Sequence, residues 1–381
     1  MFTVPTNTLR EGSSMRNLGF GLMRLPLTKK TVRSEKIDKE QSAKMIESYL
    51  KAGFNYFDTA YMYHGGKSEG AAGELICSVY ERSSFMLASK MPVGMLITKN
   101  DTSRIFRHQL KRCQTEYFDY YLLHCLNAKN FRKAEKLGVF TYLQKKKAEG
   151  KIKRLGFSFH DTADVLDEIL TAHPEMEFVQ LQINYLDWLD AKVQSKLCYE
   201  VARKHNKDII VMEPVKGGQL AKLPEEAEQM LRELDEKASP ASFAIRFAAS
   251  LEGVICVLSG MSDMNQLEDN LSYMGDNFVP VSDKEKQVLF RIAEMLSDKR
   301  LIPCTACNYC TEACPKKLPI ADAFALYNRN IKGDRKTKKE YIALDETAHF
   351  SECLNCKKCE SACPQKIEIT QKLNSVRERF D

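Results

Sequence analysis

The chain has 381 residues, enough for one large domain and a small one, and 44% of them are apolar, enough for a proper core. A net charge of +6 is mild for this length and no nucleic-acid motif accompanies it, so a nucleic-acid partner is not expected. No apolar run is long enough to cross a bilayer, and Met1–Gly12 lacks the charged-then-apolar order of a secretory leader, so a cytoplasmic protein without membrane contact is expected.

Short apolar strands alternate with helices along the first 300 residues. Strands are expected near residues 18–22, 54–58, 85–90, 120–124, 152–158, 178–182, 208–212 and 254–258. Between the first two, Asp38 and Gln41 resemble a capping box. Met45, Ile46, Tyr49 and Leu50 then make one apolar face, and Gly53 stops the helix. Leu143–Glu149 is helical up to Gly150, Asp161 is placed to cap Thr162–Ala172, and Val193–His205 leads into the seventh strand. Ser239 and Pro240 form a cap and first turn for Ala241–Leu251, which Gly253 closes. Eight such units in roughly 250 residues point to an α/β fold, the closed (β/α)8 TIM barrel. An open doubly wound sheet is the competing architecture, but no Gly-x-Gly-x-x-Gly turn follows the first strand.

In a barrel, reactive groups gather at the C-terminal ends of the strands. Those ends carry Asp58, Lys90, His124, Ser158 and Gln180, each directly after an apolar run. Tyr63 lies in the loop just past Asp58, and His64 and His160 flank the same rim. Each residue alone has a structural reading: a helix cap, a loop aromatic, an ion pair, a core histidine. An acid, a lysine, a histidine and a tyrosine at one rim form a proton-transfer set. Beyond the seventh strand, Glu213-Pro214-Val215-Lys216-Gly217-Gly218 is either a simple turn or a loop whose amides cradle a phosphate, with Lys216 nearby.

The tail carries the strongest spacing signal. Cys304, Cys307, Cys310 and Cys314 read C-x₂-C-x₂-C-x₃-C before Pro315, and Cys353, Cys356, Cys359 and Cys363 repeat the pattern before Pro364. This is ligand spacing for a pair of cubane [4Fe–4S] clusters. Zinc sites use paired CxxC rather than runs of three, and disulfides need an oxidising compartment. The tail resembles a bacterial two-cluster ferredoxin, in which the fourth cysteine serves the other cluster. Carried over, Cys304, Cys307, Cys310 and Cys363 hold one cluster, and Cys353, Cys356, Cys359 and Cys314 the second. Between the motifs, a helix is expected at Ile320–Asn328, and the basic run Lys332–Lys339 reads as a solvated loop. Cys77, Cys113, Cys125, Cys198 and Cys256 are scattered and read as small hydrophobes.

The segments Phe57-Asp58-Thr59-Ala60-Tyr61-Met62-Tyr63, Ala88-Ser89-Lys90 and Leu122-Leu123-His124 are similar to the aldo-keto reductase signature, and Gly19–Pro26 is similar to the first strand of its bacterial members. The resemblance covers roughly residues 15–275. With the cysteine tail, the chain resembles a ferredoxin-fused branch: a barrel over residues 1–298, then a small 2[4Fe–4S] ferredoxin-like domain over 299–381.

The resemblance implies an oxidoreductase with the catalytic tetrad Asp58, Tyr63, Lys90 and His124. Tyr63 donates a proton to a carbonyl oxygen as hydride arrives, or accepts one in alcohol oxidation. Lys90 is expected to lower the phenol pKa, with Asp58 holding Lys90 and His124 orienting the carbonyl. It implies cofactor contacts at Gly21, Met23, Arg24, Asp58, Ser158, Gln180 and Met212. Others are implied at Pro214, Val215, Lys216, Gly217 and Gly218, and at Ser259, Gly260, Met261, Gln266, Asp269 and Asn270. Met212 stands where the family has an aromatic, and Gly260 and Gln266 replace the usual basic positions for a 2′-phosphate. The cofactor is therefore left open between NAD(P), with NADP the family's habit, and FMN, which also suits a barrel phosphate site.

Nicotinamide moves two electrons together and each cubane one, so a relay between them needs a converter, usually a flavin. The expected function is reduction of a small-molecule carbonyl, or oxidation of an alcohol, with electrons exchanged through two [4Fe–4S] clusters with a ferredoxin or flavodoxin. Two alternatives stay open. One is an electron-transfer module whose barrel binds FMN or NAD(P) without turnover. The other is a plain NAD(P)H carbonyl reductase with structural clusters.

Overall fold

The computed structural model describes residues 16–31, 34–296 and 300–380. The strands are β1 (Leu18–Gly21), β2 (Leu27–Thr31), β3 (Ser34–Ile37), β4 (Tyr56–Asp58), β5 (Met86–Met91), β6 (Phe118–Leu126), β7 (Ile152–Phe159), β8 (Phe178–Gln182), β9 (Asp208–Met212) and β10 (Val254–Ser259). All but β2 and β3 form one closed parallel barrel in sequence order, with β10 returning to β1. These are the eight expected strands, with ends shifted by a residue or two. The antiparallel β2–β3 hairpin was not foreseen. Met1–Gly12, expected to lack a secretory leader, and the expected domain boundary at 298/299 lie outside the described residues.

Side chains along a strand alternate between two faces, and this decides where the rim groups sit. Tyr56, Met86, Ala88, Tyr120, Leu122, Phe178, Ile210, Cys256 and Leu258 belong to one buried cluster that fills the lumen. Their neighbours Phe57, Leu87, Tyr121, Leu123 and Val179 belong to the larger core between strands and helices. Two residues beyond a lumen side chain comes another lumen position. Asp58 thus follows Tyr56, Lys90 follows Ala88, His124 follows Leu122 and Gln180 follows Phe178 at the upper end of the barrel.

The helix caps follow local chemistry. Asp38 accepts from the Gln41 amide at 3.0 Å, and helix Lys39–Lys51 buries Met45, Ile46 and Tyr49. The Ser239 hydroxyl accepts from Ser242 N at the start of Pro240–Ala249. Asp161 does not cap the following helix. That helix, Ala163–Ala172, has Thr162 at its N-cap. The Asp161 carboxylate accepts instead from Ala128 N and from Thr162 N, and it pairs with Lys366 of the tail at 3.4 Å. The expected helix Val193–His205 is shorter, Ser195–Lys204.

The cysteine-rich tail has its own core of Ile302, Leu318, Phe324, Tyr341, Phe350, Leu373, Val376 and Phe380. Its helices Ile320–Ile331, Thr337–Ala348 and Ile369–Phe380 pack around the cysteine loops. The side chains of Lys332, Arg335, Lys336, Lys338 and Lys339 are exposed, but the run is a loop only up to Lys336, because Thr337, Lys338 and Lys339 open the helix Thr337–Ala348. The tail sits over the barrel rim. Gln182 and Gln365 exchange reciprocal amide hydrogen bonds at 3.2 and 2.8 Å. Arg24 Nη2 donates to the Thr305 carbonyl at 2.6 Å, and Gln219 Nε2 donates to the Cys304 carbonyl at 3.0 Å.

Candidate active site and cluster sites

Lys90 is fully buried, and its ammonium is surrounded by acceptors. Nζ donates to Asp58 Oδ1 at 2.5 Å, to the Thr59 carbonyl at 2.8 Å and to Tyr63 Oη at 3.2 Å. Burial alone pulls a lysine toward its neutral form. The Asp58 carboxylate and the Tyr63 phenol more than offset this, and the net shift is upward, so Lys90 stays an ammonium. Gln180 Nε2 approaches the second Asp58 oxygen at 3.4 Å.

Tyr63 does not follow the expected direction. Burial pushes its phenol up to about 12, against the downward pull of Lys90, with Asp58 adding a further upward push. The ammonium is present, as the residue order implied. Its effect is smaller than the cost of placing a phenolate in a dry site, so Tyr63 is a neutral donor. His124 lies edge-on to Tyr63 with ring centroids 6.1 Å apart. Burial first, then the Lys90 charge, drive its pKa well below 6.5, so its imidazole is neutral.

Tyr309 was missed from the sequence. It stands between the ligand-spaced Cys307 and Cys310, and its phenol reaches down to the rim, where Oη and His124 Nε2 are hydrogen-bonded at 3.2 Å. Burial first, and then the nearby Tyr63, raise the Tyr309 pKa. No local signal marks this residue, because a spacer position in a cysteine motif accepts almost any side chain.

A cavity of about 530 Å³ opens above the tetrad, within the range of small-molecule sites. Asp58, Tyr63 and His124 line it, with Gly21, Met23, Arg24, Ser158, Gln180, Met212, Pro214, Val215, Gly217 and Gly218. Ser259, Gly260, Met261, Gln266, Asp269 and Asn270 complete the set foreseen for a cofactor. Lys216 is the exception. Its ammonium is buried in an ion pair with Asp187, away from the cavity. Arg24 lines the cavity but spends its Nη2 hydrogen bond on Thr305. Gly217 has φ +64, and a Cβ there would lie 2.6 Å from the Thr305 carbonyl oxygen. Its glycine is required by the docked tail as much as by any phosphate. His160 also lines the cavity, whereas His64 Nε2 accepts from Leu25 N at 3.2 Å. Of the scattered cysteines, Cys113, Cys198 and Cys256 are buried and Cys77 and Cys125 partly so.

The eight motif cysteines fall into two groups. Burial, then repulsion from Cys304 and Cys363, pushes the Cys310 thiol up to about 12, and Cys307 is raised with Cys310 and Cys363 as neighbours. Burial likewise holds Cys359 at about 11, with Cys314 and Cys353 near it, and Cys356 lines the same small cavity as these three. Cys310 and Cys359 are buried, Cys356 is exposed and the other five are partly buried; two sets of four thiols gathered in this way suit iron–sulfur centres, whose positive charge compensates the thiolates. Cys307 also lines the cavity above the tetrad.

The aldo/keto reductase family model matches residues 17–289. The chain belongs to the aldo/keto reductase family. A 4Fe-4S dicluster domain model matches residues 303–368. The protein is thus an oxidoreductase of the aldo-keto reductase type with a C-terminal iron–sulfur dicluster domain. Among solved structures, the thermostable aldo-keto reductase Tm1743, in complex with the inhibitor epalrestat, is 20% identical. That match covers 74% of this chain and 97% of that one, with a TM-score of 0.60. An aldo/keto reductase from Klebsiella pneumoniae in complex with NADP and acetate is 18% identical, with 74% and 92% covered and a TM-score of 0.58. The holo form of an aldo-keto reductase from Bacillus halodurans is 21% identical, with 74% and 94% covered and a TM-score of 0.56. At these identities the likeness is one of fold. A search of curated proteins returned no match. Among the described residues, no helix is long and apolar enough to cross a membrane.

Proposed function

We propose that this aldo-keto reductase reduces a small-molecule carbonyl to an alcohol, with Tyr63 as proton donor. The observation that carries the proposal is the buried Lys90 ammonium held between Asp58 and Tyr63, which both line the cavity. NAD(P)H, when bound, supplies hydride to the carbonyl carbon. Tyr63 gives its Oη proton to the oxygen, and the Lys90 ammonium, 3.2 Å away, stabilises the phenolate left behind. Neutral His124 offers Nε2 to the same oxygen. A carbonyl oxygen taken up between Tyr63 and His124 replaces the Tyr309 hydroxyl now bonded there. With its phenol pushed up to about 12, Tyr63 is protonated near neutral pH, the form that carbonyl reduction uses and that alcohol oxidation must first deprotonate.

The cavity residues suit a dinucleotide. Ser158 and Gln180 stand beside Asp58 at the rim, where they can hold a carboxamide, and Met212 offers a thioether face to a ring. Two solved relatives are described as NADP or NADPH complexes, which supports NAD(P) in preference to FMN. Cys304, Cys307, Cys310 and Cys363 would hold one [4Fe–4S] cluster, and Cys314, Cys353, Cys356 and Cys359 the other. The clusters would supply single electrons, exchanged with a carrier such as ferredoxin or flavodoxin. Cys356 is exposed beside the exposed Lys316 and Lys357, which suits an acidic carrier. The position of Cys307 on the cavity wall favours a redox role over a purely structural one.

The test is Tyr63→Phe. Carbonyl turnover should disappear while visible cluster absorbance is retained. Turnover at the wild-type rate would remove Tyr63 from the chemistry.

A further inference from the structure

A second cavity, of about 720 Å³, meets the first at His124, His160 and Tyr309. Barrel loops form one wall and the cysteine-rich tail the other. Its charged lining is one-sided: Arg112, Lys129, Lys133, Lys317 and Lys358 against Glu312. Lys317 donates to Glu312, and Arg112 sits 3.3 Å from the buried Glu69 behind it. Lys133 Nζ donates to the Gly94 carbonyl at 2.8 Å. Among the described residues, no carboxylate pairs with Lys129, Lys133 or Lys358. Burial and then the Lys129 charge depress the Lys133 pKa, a sign of like charges held near one another. The two histidines add nothing at neutral pH, since burial lowers both, His160 to about 4. A concave site lined by one sign of charge focuses its field on the enclosed ligand.

We infer that this chamber receives the substrate and that the substrate is anionic: a carbonyl compound carrying a carboxylate or phosphate remote from its reacting carbon. The inference rests on the carbonyl-reductase reading above. The carbonyl group reaches between His124 and Tyr63 at the junction, the cofactor lies on the other side, and the anionic end stays among the lysines. Both walls are needed, because Lys317 and Lys358 belong to the tail and Lys129 and Lys133 to the barrel. The docked iron–sulfur domain therefore helps select the substrate.

The experiment compares 4-carboxybenzaldehyde with methyl 4-formylbenzoate on the holoenzyme, by NAD(P)H-linked turnover and, independently, by titration calorimetry. Three unpaired ammonium groups should favour the acid by about tenfold in KM and in binding, taking the upper range for partly exposed ion pairs. Lys129→Gln and Lys133→Gln should each reduce that preference several-fold. Added salt should weaken the acid and leave the ester unchanged, a check that needs no variant. Equal binding of acid and ester, with no salt effect, overturns the inference even if both are reduced. Preferential binding of the acid with neither probe reduced supports the chamber and counts against the carbonyl-reductase reading instead.

Discussion

Tyr309→Phe removes one hydroxyl from the junction of the two domains and separates two roles for that residue. In the free enzyme Tyr309 Oη bonds His124 Nε2 at 3.2 Å, at the place the proposed mechanism gives to the carbonyl oxygen. A typical hydrogen bond contributes about 0.5–1.5 kcal/mol net, so removing the competitor should lower KM by roughly two- to thirteenfold. The Asp58–Lys90–Tyr63 contacts are untouched, so kcat should hold. Steady-state NAD(P)H consumption with a neutral aromatic aldehyde reads both constants. A raised KM, or a kcat as low as that of Tyr63→Phe, would show that the substrate oxygen does not displace Tyr309 and that the phenol belongs to the proton path.

Because burial holds Tyr63 at about 12, the rate of carbonyl reduction should stay flat from about pH 7 to about pH 10, and alcohol oxidation, which needs the phenolate, should rise across that range. A basic limb of the reduction profile near pH 8 or 9 would contradict the burial argument. Gly217→Val places a Cβ within 2.6 Å of the Thr305 carbonyl at a positive φ, which for an L-residue costs about 1–2 kcal/mol before the clash is counted. The variant should unfold at lower urea and its tail should be cleaved faster by protease; wild-type values for both would mean that the Gly217–Thr305 approach is not needed. Protein purified without oxygen should carry about eight irons with matching sulfide. Zinc in their place, or four irons only, would overturn the assignment of two cubanes to these cysteines.

Much of the barrel and its rim was legible because the signals are local. A period of two, with an apolar lumen residue followed by a polar one two places on, identifies Asp58, Lys90, His124 and Gln180 without any knowledge of their partners. The eight cysteines stood out as ligands because their spacing is a property of two short loops, whereas the assignment of Cys363 to the first set and Cys314 to the second came from the ferredoxin resemblance. The direction of the Tyr63 shift was not readable. Residue order shows that Lys90 is near, but the opposing burial depends on everything packed above the phenol.

The remaining features come from residues far apart in the chain. Tyr309 and His124 are separated by 185 positions, and Gln182 and Gln365 by 183. Lys216 looked available to a phosphate until Asp187, 29 residues earlier, claimed it. Gly217 looked like part of a phosphate cradle and proved to be the seat of the cysteine loop. Periodicity and spacing therefore specified which chemical groups this chain brings to its rim and tail. Docking of the tail onto the barrel, which no local pattern encodes, settled which of those groups face the cavity, which neutralise one another, and where a second, cationic chamber opens beside the first.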